Sequence, residues 1–225
     1  MPAFETRAED LPGEFPIFPL PGALLLPRGK LPLNIFEPRY LAMTEDALAA
    51  GRMFAMIQPD ARHPDGTGLY RIGCLGRLVS FSETDDGRYL ITLLGVSRFA
   101  VAEELPMQRG YRRVRADYSE FAADLEPARE VEQCFDRATL LTSLRGYFAH
   151  RGFEANWDAI NQMPDEALVV TLSMVCPFEP AEKQALLEAP TPTERAQVLL
   201  ACLQIETHAV GGDAADPAAG RFRVS

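Results

Sequence analysis

The sequence predicts an α+β fold, an antiparallel β-barrel with one inserted helix followed by a carboxy-terminal α-helical bundle. Three observations predict it. Short apolar runs punctuated by proline and glycine fill the first half, whereas apolar residues spaced by three, four or seven fill the second. The charge balance changes with them: 16 acidic and 14 basic side chains up to residue 122, then 16 and 8 beyond it. At 225 residues and 47% hydrophobic, the chain can bury one large core or two modest ones. The expected organisation is a barrel subdomain over 1–122, a helical bundle over 123–210, and a flexible tail over 211–225, rich in Gly, Ala, Asp and Pro.

In chain order, Phe15-Pro16-Ile17-Phe18-Pro19-Leu20 is apolar and punctuated by proline, which suits an edge strand. A second strand, Leu31 to Phe36, follows the turn-forming Pro27-Arg28-Gly29-Lys30. One helix comes next. Pro38 suits its first position, Glu37 favours the positive helix start, and Gly51 supplies a left-handed end. Its core stripe is read as Tyr40, Leu41, Thr44, Ala47 and Leu48. Phe54-Ala55-Met56-Ile57 is a compact buried strand, and the polar stretch to Gly68 is a surface loop. A long strand over 70–81 contains Gly73 and Gly76, which mark a bulge or bend. Asp85-Asp86-Gly87 turns it into a return strand over 89–96, and a last strand over 111–118 alternates arginines with apolar residues. Beyond it, Pro127, Pro164, Pro180 and Pro192 each open a helical segment, in a set of three to five.

Bulk properties narrow the function. A formal net charge of −10 repels phosphate backbones and disfavours nucleic acid as a partner. No apolar run is long enough to span a membrane, and residues 1–10 carry Glu5, Glu9 and Asp10 without the apolar stretch of a signal peptide. Cys74, Cys134, Cys176 and Cys202 form no CxxC pair and suit buried thiols in a reducing cytoplasm rather than disulfides or a zinc cage.

The run from Phe15 to Gly22, then Pro32-Leu33-Asn34-Ile35-Phe36-Glu37-Pro38-Arg39-Tyr40, resembles the opening of the Lon amino-terminal domain family, in its stand-alone bacterial form. The resemblance continues through Tyr70-Arg71-Ile72-Gly73-Cys74, the Gly95-Val96-Ser97-Arg98 segment, and Glu182 to Glu188, and covers about residues 15–207. It implies a PUA-like β-barrel followed by a helical bundle. In Lon proteases this region helps to recognise unfolded or tagged protein substrates, and a related domain in cereblon takes part in recruiting proteins for ubiquitination. No GxxxxGK(S/T) loop precedes either lysine, Lys30 or Lys183, so neither the ATPase nor the Ser–Lys peptidase part is expected here.

Two sites stand out. In Phe36-Glu37-Pro38-Arg39-Tyr40 the aromatic faces suit an extended peptide, with Glu37 or Arg39 as anchor; the competing reading is an ordinary helix start. Arg98 suits a partner's carboxylate in a two-pronged geometry, against an internal pair that fixes a turn after a buried strand. Arg109, Arg112, Arg113 and Arg115 with Tyr111 form a basic and aromatic patch, read as a solvated strand edge before an RNA site. His63, His150 and His208 belong to no nucleophile motif. The expectation is a non-catalytic cytoplasmic module, without cofactor or metal, that binds exposed or unfolded protein segments in protein quality control or proteolysis. Its client would add along a barrel edge or at a cleft, with a protease or chaperone as a further partner. RNA binding through the barrel and a small hydrolase are the alternatives.

Overall fold

A computed structural model describes residues 6–63, 67–126 and 135–209. Its strands are β1 (Glu14–Pro19), β2 (Lys30–Ile35), β3 (Met53–Ile57), β4 (Ile72–Glu83), β5 (Tyr89–Gln108) and β6 (Tyr111–Asp117), with helix α1 (Pro38–Ala49) between β2 and β3. Helices α2 (Arg137–Arg151), α3 (Trp157–Gln162), α4 (Asp165–Val175), α5 (Pro180–Glu188) and α6 (Pro192–Ala209) follow. The chain divides into two compact units, Met1–Arg129 with Glu179–Glu188, and Glu130–Phe178 with Ala189–Ser225. Helix α5 therefore lies with the strands.

The six strands form one sheet in the order β2-β5-β4-β3-β1-β6, and β6 also pairs with β5, so the sheet curls back on itself. It is mixed rather than wholly antiparallel. β1 runs parallel to β3, because the chain between them passes through β2 and α1 before returning. Nor is β1 an edge: it lies between β3 and β6. Its prolines are tolerated because the two ladders hardly overlap. Pro16 falls in the β6 ladder alone and Pro19 in the β3 ladder alone. Phe15, Ile17, Ala55, Leu75, Phe99 and Val114 pack together between the curled strands, with Phe15 edge-on to Phe99 at 5.0 Å.

The return strand does not stop at Val96. β5 runs on for 20 residues, pairing first with β2 and β4 and then, from Ala100, with β6. Gly95 makes the passage possible. A Cβ there would lie 1.9 Å from the Leu26 carbonyl oxygen. In its absence, Arg28 donates its N–H to the Gly95 carbonyl, and Gly95 donates to that of Gly29, both at 2.8 Å. Arg98 thus sits within a strand, not after a turn. The β5–β6 hairpin closes through Arg109 and Gly110, at φ 47° and 86°, the two-residue left-handed turn that matches strand twist.

Helix α1 begins at Pro38 as expected; its buried residues are Tyr40, Ala42, Met43, Thr44 and Ala47, so Ala42 and Met43 take the place expected of Leu41 and Leu48, which are only half-buried. Gly51, at φ 81°, follows its end. Helix α5 is fastened to the strands by a buried amide pair. Gln58 Nε2 donates to the Pro180 carbonyl at 2.9 Å and to Gln184 Oε1 at 3.2 Å, and Gln184 Nε2 donates to the Ile72 carbonyl at 3.1 Å.

In the other unit, Asp136 caps α2 by accepting from the Ala138 and Thr139 amides, and Gly152 ends it in the left-handed region. Helix α6 packs against α2 and α4. The helical segment expected from Pro127 lies, up to residue 134, outside the described residues, as do Cys134 and the tail.

Candidate functional site

β1 and β6 stay paired from Glu14↔Arg115 to Ile17↔Arg112, then part. β1 continues along β3 while β6 turns into its hairpin with β5. Where they diverge, a notch of ≈ 230 Å³ opens, lined by Pro19, Tyr40, Pro59 and Met107 together with Arg39 and Arg112. A wider hollow of ≈ 450 Å³ adjoins it across Arg112, Thr67 and Gly68, and takes in Leu69, Tyr70, Val101 and Glu104. Together they make one groove along the strand unit.

Three elements build it. The loop after β3 leaves and returns as a narrow ladder: Asp60 donates its N–H to the Gly68 carbonyl at 2.9 Å, and Tyr70 to that of Gln58 at 3.0 Å. Gly68 is required there, since a Cβ would fall 2.3 Å from Cβ of His63. At the loop's edge Arg62 grips Asp60 and covers the Tyr70 ring, holding the Asp60 carboxyl below the usual carboxylate range. Arg112 ties loop to hairpin. Its Nε and Nη2 meet the two Glu104 oxygens at 2.6 and 2.7 Å, and its Nη1 reaches the Thr67 carbonyl at 3.0 Å.

The third element is the start of α1. Tyr40 is buried against Phe18, ring centroids 4.1 Å apart, and burial raises its phenol pKa. The Arg39 guanidinium lies over that ring at 4.6 Å from the centroid. Arg39 also pairs with Glu37, whose side chain therefore turns to Arg39 instead of capping the helix. Phe36 is 61% exposed but does not line the notch. Of the expected cluster, Arg39 and Tyr40 line the notch, Glu37 supports Arg39, and Phe36 stands apart.

Arg98 belongs elsewhere and is 4% exposed. Its Nε and Nη2 meet the two Asp124 oxygens at 2.9 Å each, and its Nη1 reaches the Leu187 carbonyl at the end of α5 at 3.2 Å. This withdraws it from any surface that a partner's carboxylate could reach, since its donors already face one inside the fold. The basic patch is likewise paired. Arg109 meets Glu45 and Asp46, Arg113 meets Glu14, and Arg115 meets Glu14 and Glu103. Tyr111 is buried although it shares a strand face with arginines, because α1 covers that end of β6 and Asp46 accepts a hydrogen bond from the phenol at 2.6 Å.

Sequence reasoning missed Met107 and the notch-lining prolines. Met107 is 70% exposed two residues before the turn, and the Arg109-Gly110 pair was the available signal of a hairpin. Among the described residues no group of His, Cys, Asp and Glu has the arrangement of a metal site. Cys74, Cys176 and Cys202 are buried. No described helix is long and apolar enough to cross a membrane.

A family model for the ATP-dependent protease La (LON) substrate-binding domain matches residues 14–204. Lon protease 2 of Myxococcus xanthus is 28% identical over 112 residues, which cover 48% of this chain and 13% of that protein. Lon protease of Dictyoglomus thermophilum is 25% identical over 206 residues, 85% of this chain and 24% of that protein. The chain thus spans a quarter or less of the length of these relatives. A Lon N-terminal domain protein from Xanthomonas campestris superposes with a TM-score of 0.58 at 22% identity, over 84% of this chain and 97% of that one. The N-terminal domain of Mycobacterium avium complex Lon protease superposes with a TM-score of 0.60 at 16% identity, over 85% and 98%. Both share the fold.

Proposed function

The chain belongs to the Lon substrate-binding domain family, and on that premise we propose that it binds exposed or unfolded segments of other proteins in the groove beside α1, as a non-catalytic module of cytoplasmic protein quality control or proteolysis. The observation that carries this is the groove itself. It places an exposed Met107, two prolines and a half-exposed Arg39 along a channel open to an extended chain. A methionine on an exposed wall adapts to different apolar partners, as promiscuous recognition requires.

The free edge of the sheet is a poorer candidate. β2 ends the strand order, and Pro32 removes one amide donor from an already short strand. The arginines that suggested RNA are each matched by carboxylates of the same unit, so they offer phosphate little uncompensated charge. The burial of Cys74, Cys176 and Cys202 argues against a cysteine nucleophile. A separate protease or chaperone would receive what the groove holds.

Titration of the full chain with a permanently unfolded protein, followed by anisotropy with and without excess RNA, tests the proposal. Saturable binding insensitive to RNA is the expected result. Absence of saturation sinks it, and loss of binding to competing RNA moves the barrel's arginines to the front.

A further inference from the structure

The notch at the hairpin tip is lined by two guanidinium groups, Arg39 paired with Glu37 and Arg112 paired with Glu104. Arg112 is engaged internally through all three of its nitrogens. Arg39 is not. Its side chain is 53% exposed, and its pair with Glu37 uses Nε and Nη2, which leaves the Nη1 edge for a partner. Pro19, Pro59, the buried Tyr40 ring and the exposed Met107 supply the apolar part of the remaining wall, beside Thr67 and Tyr111. At ≈ 230 Å³ the notch falls below the roughly 300–1,000 Å³ typical of small-molecule pockets, and suits one side chain.

The wall that carries Met107 is held in place. Where a Cβ on Gly110 would sit, the Cβ of Arg39 is 3.4 Å away, so the turn lies directly against the start of α1. Further along that helix, Arg109 Nη1 reaches the Ala42 carbonyl at 3.4 Å and Asp46 at 2.6 Å. Asp46 also accepts from the Tyr111 hydroxyl at 2.6 Å and from Gln108 at 3.2 Å. Arg39, Ala42 and Asp46 are spaced by three and four, so one stripe of α1 grips the tip over two turns. Three of the four residues from Gln108 to Tyr111 meet the one carboxylate of Asp46.

We propose that this notch reads a two-residue feature in an extended client segment, a large apolar side chain against Met107 beside a carboxylate at Arg39, with Asp46 as the positioning residue that holds the Met107 wall. The inference rests on the protein-binding function proposed above and names its substrate class. The half-exposed Arg39 guanidinium, with Nη1 outside its pair to Glu37, selects the carboxylate. The volume and the exposed Met107 select the single large side chain.

The test is anisotropy of the full chain with four labelled extended peptides, identical but for Leu-Asp, Leu-Lys, Ala-Asp or Ala-Lys at the centre. Wild type should hold Leu-Asp about tenfold tighter than Ala-Asp, from burial of the leucine. It should also hold it about threefold tighter than Leu-Lys, a preference that fades as salt is raised. Arg39→Glu should reverse the Asp-over-Lys preference and keep the Leu-over-Ala one; Met107→Ser should do the opposite. Both side chains are exposed, so melting temperatures should not move. Asp46→Asn should flatten the Leu-over-Ala ratio, whereas a purely structural loss would weaken all four peptides alike and leave the ratio intact. Should Asp46→Asn fail to fold, Tyr111→Phe removes one strut and should flatten the ratio partly.

Unchanged ratios in Arg39→Glu or Met107→Ser overturn the proposal. So does a wild type that binds a permanently unfolded protein but does not discriminate among the peptides, with the broader reading left standing. A wild type that binds neither overturns both.

Discussion

Replacing Arg98 with methionine tests whether the buried pair organises the strand unit. The side chain is 5% exposed and that of Asp124 9%. Methionine keeps much of the apolar stem but deletes two bonds to Asp124 at 2.9 Å and one to the Leu187 carbonyl at 3.2 Å. Asp124 would keep the bond from the Arg98 backbone amide at 2.9 Å, too little to offset a buried charge. Removing one partner of such a pair costs about 3–5 kcal/mol. Arg98→Lys, which keeps the charge but loses the two-pronged geometry, should cost less, about 1–3 kcal/mol. The double variant Arg98→Met with Asp124→Leu leaves no stranded charge, so its loss should fall well short of the summed single losses, by about 2 kcal/mol or more. Urea denaturation followed by circular dichroism is the suitable assay, because the single tryptophan, Trp157, belongs to the helical unit and does not report on the strands. A loss under about 1 kcal/mol for Arg98→Met, or strict additivity in the double variant, would refute the reasoning.

Two further outcomes follow from close contacts and charge. Gly95→Ala forces a Cβ to within 1.9 Å of the Leu26 oxygen and should break both backbone bonds to segment 28–29. The cost should be about 3–5 kcal/mol by thermal denaturation, while Gly13→Ala, with nothing within 4 Å, should be nearly neutral; equal effects would contradict the crossing. The Tyr111 hydroxyl and then Arg109 hold the Asp46 carboxyl below its usual range. A depressed folded pKa gives stability that is present above the unfolded value near ~3.9 and lost as pH falls through the folded one. The stability gap between wild type and Asp46→Asn should therefore shrink below about pH 4, and a gap constant from about pH 3 to 7 would rule this out.

What could be read from the sequence was local in origin. Pro38 and Gly51 mark the limits of α1 because one lacks an amide that the first turn does not use and the other accepts positive φ. Asp85-Asp86-Gly87 turns a hairpin for the same stereochemical reason, with Gly87 at φ 79°. Alternation in β6 marks Val114 as buried and Arg115 as exposed, and helical spacing in α4 marks Leu168, Val169 and Leu172 as buried, without reference to the partner; Tyr111, covered by α1, departs from the alternation. The family resemblance, carried by the order of such segments, agreed with the fold.

Position within the sheet was a different matter. The prolines of β1 suggested an edge, yet two ladders meet at Ile17 and share the strand between them, an arrangement set by β3 and β6. The return strand was expected to end at Val96, whereas Gly95 admits a backbone that crosses from residues 26–29 and the strand runs on to Gln108. Arg98 finds its carboxylate 26 residues away, and Gln58 finds Pro180 122 residues away. The candidate groove is an extreme instance, since Pro19, Pro59 and Met107 become neighbours only once β1 and β6 part beside α1. Propensity and periodicity act over a few residues, so the sequence alone determines the elements and their buried faces; which element meets which, and therefore where a notch opens, depends on long-range pairing that tertiary packing decides.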